Sequence, residues 1–147
     1  MLVLGKIKGP ERRDLGRYRR CATGAQKCAR IGAAGGQRPL LIAVTQLTST
    51  SEQVMQQELL IDKPLNDVVV EYALNAKAAG LDGVVCSPLE AQLVKQACGQ
   101  DFLAITPGIR LPSAGADDQV RITTPAQARA IGADYIVVGR PITAAAD

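Results

Sequence analysis

The chain has 147 residues, 47% of them hydrophobic, and a net charge of +3, which suits one globular domain with a sizeable core and excludes a disordered chain. It contains no histidine, and this excludes Ser-His-Asp and Cys-His catalysis together with the usual zinc frameworks. The longest purely apolar run is Leu40 to Val44, far short of the roughly 20 residues of a membrane helix. No secretory leader is recognisable at the start, so a cytoplasmic protein is expected.

The charge is split unevenly. Residues 1–38 hold ten Lys or Arg against Glu11 and Asp14, whereas residues 39–147 hold seven against twelve Asp or Glu. Residues 1–34 show no sustained apolar period, only scattered Arg, Gly and Ala with a single aromatic, Tyr18. A basic nucleic-acid arm is one reading of such a segment; disordered or spurious sequence, from a shifted reading frame or a misplaced start, is the other, and the preferred one. Four cysteines, Cys21, Cys28, Cys86 and Cys98, lack C-x-x-C spacing and read as buried or idle thiols.

From residue 35 onward short apolar strands alternate with helical segments. "LLIAVT" (40–45) reads as a buried strand and residues 51–61 as one or two helical turns. In "PLNDVVVEYALNAKAAG" (64–80), Val68, Val69, Tyr72, Ala73, Ala76 and Ala79 share one helical face, and Gly80 supplies the stop. "GVVC" (83–86) predicts a strand, and Ser87-Pro88-Leu89-Glu90 a capping box that opens a helix to about Cys98. "FLAIT" (102–106) is the next strand, followed by a long polar loop over 107–123. Thr124-Pro125-Ala126-Gln127 is a second capping box, for a helix stopped by Gly132, and "YIVV" (135–138) predicts a last buried strand.

Strands separated by helices imply parallel βαβ units. Four such units in this length fit a small open sheet or half of a (β/α)8 barrel, because a whole barrel takes about 250 residues. Functional groups of parallel sheets gather at the carboxyl ends of strands, which here read "TQLTSTSEQ", "CSPLE", "TPGIR" and "GRPIT". Two of the four carry an arginine, Arg110 and Arg140, and Gly139 would let an anion approach the main chain closely. Phosphate is the natural ligand of such a pair; ion pairing with Asp117 or Asp118 is the structural alternative. Thr48 and Ser49 after the first of these strands, and Gln119 in the long loop, could offer hydrogen bonds to a base or sugar.

Together "LLIAVTQLTSTSEQ", "GLDGVVCS", "TPGIR" with "DDQVRITTPAQA", and "GADYIVVGRPIT" resemble the carboxyl-terminal half of bacterial orotidine 5′-phosphate decarboxylases, over about residues 35–147. The resemblance implies the last four βα units of a TIM barrel in a homodimeric, cofactor-independent lyase of pyrimidine biosynthesis, which converts orotidine 5′-monophosphate to UMP and carbon dioxide. No metal, nucleic-acid or membrane partner is expected. By position, Thr48 matches a pyrimidine contact, Arg110 and Gln119 match the phosphate-gripping loop, with Gln119 also reaching the base, and Gly139 with Arg140 matches the phosphate cradle. The family's D-x-K-x-x-D motif, whose lysine stabilises and protonates the C6 carbanion, does not occur in this sequence. No catalytic residue is therefore assigned, and the chain is expected to be inactive alone. A non-catalytic half barrel that binds a phosphorylated ligand is the alternative.

Overall fold

A computed structural model describes the backbone of residues 3–6, 15–109 and 123–143, and the side chains of 23–109, 123–139 and 142–143. Five parallel strands form one sheet in the sequential order β1-β2-β3-β4-β5: β1 Val3–Lys6, β2 Leu41–Val44, β3 Gly83–Val85, β4 Leu103–Thr106 and β5 Tyr135–Ile136. Between them run α1 Leu15–Ala33, α2 Glu52–Gln57, α3 Leu65–Ala78, α4 Pro88–Cys98 and α5 Pro125–Ile131, and a four-residue turn of helix, α6 Arg140–Thr143, follows β5.

The pairing register sorts the strand residues onto two faces. Ala43, Val84 and Ala104 are mutual partners across β2, β3 and β4, and with Leu41 they join the core that packs against the helices. The apolar stripe of α3 supplies Val68, Val69, Tyr72, Ala73 and Ala76 to that core, and α4 adds Ala91, Val94 and Cys98. The neighbouring row, Val44, Val85, Ile105 and Tyr135, points to the opposite face.

Helix boundaries follow local chemistry. Ser87 caps α4 while Glu90 Oε2 accepts from the Ser87 amide at 3.0 Å, and Thr124 with Gln127 forms the matching box on α5. α3 ends in a Schellman motif in which Gly80, at φ +81°, donates to the Lys77 carbonyl and Leu81 to the Ala76 carbonyl.

The four expected strands are present in one parallel sheet, and Val3–Lys6 adds a fifth, in register with Leu41–Val44. The opening segment also contains α1, whose Ala25 and Cys28 pack on the core. Its inner face is made of small residues, and Gly24 lies so close to Leu41 that an added Cβ would stand 3.1 Å from Cδ2; such a face has too little hydropathy to show as an apolar period. Finally, the last strand is not buried: Tyr135 is 55% and Ile136 42% exposed, since β5 has a neighbour on one side only.

Two repeated "G-x-D" corners tie the amino ends of the strands together. Asp82 accepts from the Leu41 amide at 2.8 Å and from Arg38 at 2.8 Å, and its own amide donates to the Leu41 carbonyl. Asp134 repeats the arrangement on Ala104 at 2.7 Å, with the buried ammonium of Lys95 at 2.6 Å as its cation. Lys95 also donates to the Gln100 carbonyl, so its buried charge has both an anion and a carbonyl as partners.

Candidate functional site at the carboxyl ends of the strands

All five strands are parallel, so the segments leaving β2, β3, β4 and β5 emerge along one edge. Two buried threonines hold that edge in shape. Thr45 donates its hydroxyl and its amide to the Val85 carbonyl, at 2.9 and 3.0 Å. Thr106 donates to the Tyr135 carbonyl at 3.3 Å, and the Thr106 carbonyl accepts from the Val137 amide at 3.0 Å.

After β2 the chain makes a tight turn, closed by the Thr50 amide on the Leu47 carbonyl at 2.9 Å. Thr48 sits inside this turn and is buried. Ser51 next to it caps α2, and Glu52 Oε2 accepts from the Leu65 amide at 2.8 Å to seat the start of α3. After β3, Ser87 and Glu90 are committed to the cap of α4, which makes that corner structural.

The segment after β4 is drawn together at its base. Ile109 forms a parallel bridge with Thr123, and the Thr123 amide donates to the Gly108 carbonyl at 3.1 Å. The Thr123 hydroxyl donates to Gln127 Oε1 at 2.9 Å, anchoring Thr123 on α5. Arg110 and Gln119 lie between these anchors in sequence, outside the described residues. After β5, the Gly139 carbonyl accepts from Ile142 and Thr143, and nothing stands within 4 Å of the position a Cβ would take. Arg140 begins α6; its side chain is outside the described ones.

The structure thus places Thr48, the Ile109–Thr123 bridge and Gly139 along one edge. β4 and β5 are adjacent, so the segments that lead into Arg110 and Arg140 leave strands about 4.8 Å apart. The sequence reading missed Thr45 and Thr106, although both close an apolar run in the same way, "LIAVT" and "LAIT". Among the described residues no cluster of three or more His, Cys, Asp or Glu could hold a metal ion, and no helix is long and apolar enough to cross a membrane. Cys28, Cys86 and Cys98 are buried. Burial pushes the Cys98 thiol above its ordinary pKa, while the nearby Lys77 ammonium pulls the other way.

Comparison with known proteins points in one direction. The family described as Orotidine 5′-phosphate decarboxylase / HUMPS family matches residues 16–147. An orotidine 5′-phosphate decarboxylase of Geobacillus thermodenitrificans is 58% identical over 113 residues, 77% of this chain and 47% of that protein. One from Listeria monocytogenes serotype 4b is 58% identical over 123 residues, 84% of this chain and 53% of that protein. The crystal structure of orotidine 5′-phosphate decarboxylase from Lactobacillus acidophilus superposes with a TM-score of 0.75 at 36% identity, covering 99% of this chain and 57% of that one. The chain spans about half the length of the curated relatives it matches.

Proposed function

Because the chain belongs to the orotidine 5′-phosphate decarboxylase / HUMPS family, a family of TIM barrels, we propose that it holds the phosphate and pyrimidine contacts of an orotidine 5′-phosphate decarboxylase. That enzyme is a carboxy-lyase, forming UMP and carbon dioxide from orotidine 5′-monophosphate in pyrimidine biosynthesis. In this reading Arg140 and Arg110 grip the 5′-phosphate, and Gly139 leaves room for its oxygens to approach the main chain. Gln119 spans phosphate and base, and Thr48 contacts the pyrimidine. The ligand is a small nucleotide, the location cytoplasmic, and the assembled enzyme a cofactor-free homodimer.

One observation carries this reading. The segments that lead into the two arginines leave neighbouring strands β4 and β5, and both roots are fixed, one by the Ile109–Thr123 bridge and the other by Thr106 on the backbone of Tyr135 and Val137. Guanidinium–phosphate bonds are charge-assisted and worth about 1.5–3 kcal/mol each. Binding energy taken up at the remote phosphate can be used at the pyrimidine, where the transition state forms.

The 147 residues contain no D-x-K-x-x-D, so this chain alone lacks the lysine that would meet the C6 carbanion. Purified chain should bind UMP and show negligible turnover of orotidine 5′-monophosphate. Easily measured turnover by the purified chain would overturn the assignment of the catalytic lysine to a different part of the barrel. The same missing motif favours, as a second reading, a non-catalytic module that binds a phosphorylated ligand, which UMP binding without turnover in any assembly would support.

A further inference from the structure

Thr106, the last residue of β4, is fully buried and joins two segments. Its hydroxyl donates to the Tyr135 carbonyl at 3.3 Å, and its carbonyl accepts from the Val137 amide at 3.0 Å. Val137 stands three positions before Arg140 in sequence. On the other side Thr106 is followed by Pro107, whose ring fixes its own backbone angle. Gly108 and Ile109 come next, both buried, and the Gly108 carbonyl accepts from the Thr123 amide at 3.1 Å. A stiff run, 106–109, thus leads in sequence to Arg110.

The residue type is itself informative. Valine has the same branched shape and suits a strand whose other residues are Leu103, Ala104 and Ile105, and it carries no hydroxyl to take out of water. A threonine in a wholly buried place needs a partner, and here the partner is the backbone of β5. The side chain lies on the same strand face as Ala104, which packs in the helix-covered core, so Thr106 acts through β5 and not on a ligand. We infer that Thr106 is a positioning residue that sets the spacing of the segments leading to Arg110 and Arg140, so that the two arginines act on one phosphate as a unit. Thr106 has this role only under the reading in which both arginines hold the 5′-phosphate of a nucleotide.

The test is calorimetric titration of the purified 147-residue chain with UMP. The proteins are the parent, Arg110→Ala and Arg140→Ala, each with and without Thr106→Val, which keeps the branched shape and drops the hydroxyl. In the parent, Thr106→Val should weaken UMP binding about three- to tenfold, the value of one neutral hydrogen bond. Where either arginine is already gone the loss should be less than about twofold, because side chains that act together are not additive. Thr106→Ser, which keeps the hydroxyl, should bind within about twofold of the parent. Thr106→Ala takes the place of Thr106→Val in the same cycle if circular dichroism shows the valine variant unfolded. A merely structural role would lower affinity by the same factor in all three backgrounds, and that result would overturn the inference, as would a hydroxyl-free variant that binds as tightly as the parent. Absence of UMP binding by the parent would instead overturn the functional reading, and the role of Thr106 with it.

Discussion

Gly83 opens β3 between two neighbours, paired with Ile42 on one side and Leu103 on the other. A Cβ built there would overlap the Leu103 carbonyl oxygen, and would stand 2.5 Å from the Leu103 Cβ and 2.9 Å from its carbonyl carbon. Most of these atoms are backbone in a central strand, so relief requires β3 and β4 to separate rather than one side chain to rotate. Overpacking of this kind costs about 1–3 kcal/mol. Gly→Ala ordinarily returns about 0.4–1 kcal/mol by restricting the unfolded chain. The clash is the larger effect, and Gly83→Ala should destabilise by about 1–2 kcal/mol. For a domain of this size that is a fall in Tm of about 2–8 °C. Urea unfolding followed by circular dichroism reads the change directly, with a lowered midpoint at constant slope. A midpoint equal to or above the parent's would refute the close approach of β3 and β4.

Asp134→Ala removes the acceptor for both the Ala104 amide and the Lys95 ammonium, and should cost about 2–4 kcal/mol in urea unfolding; Lys95→Met with Asp134→Asn, which leaves no bare charge, should cost less than Asp134→Ala alone. Leu60 has φ +55° and is 82% exposed, so Leu60→Gly relieves a left-handed strain of about 1–2 kcal/mol against a glycine entropy cost of about 0.5–1 kcal/mol. A small rise in Tm is expected. Burial holds the Cys98 pKa above the ordinary thiol value, which favours the protonated thiol in the fold. Site-resolved alkylation at pH 8.5 should therefore label Cys98 slowly until denaturant is added. Because the folded pKa is the raised one, its contribution to stability is complete below the unfolded pKa and is lost as pH rises through the folded value.

The elements between residues 40 and 132 were legible because local signals agree with one another. The stripe from Val68 to Ala76, both capping boxes, and the stops at Gly80 and Gly132 each match what forms. α1 was hidden because its buried face is built of Gly24, Ala25 and Cys28, too weakly hydrophobic to produce a period. "YIVV" has the composition of a buried central strand, and composition cannot say whether a strand has one neighbour or two. The bonds of Asp82 and Asp134 to strands lying 41 and 30 residues earlier are long-range, and no local pattern encodes them. The strand ends were legible as a location for function, since parallel topology alone dictates it. That Thr45 and Thr106 lock those ends together emerged only from the pairing of β2 with β3 and of β4 with β5.

The most direct test of the central claim is a calorimetric titration of the purified chain with UMP and, separately, with uridine, in the parent and in Arg140→Ala. Saturable binding of UMP, little or none of uridine, and a loss of about ten- to a hundredfold in affinity in Arg140→Ala, the value of one or two charge-assisted bonds, are the expected results. Equal affinity for UMP and uridine, or UMP binding unchanged in Arg140→Ala, would contradict a phosphate site at the end of β5.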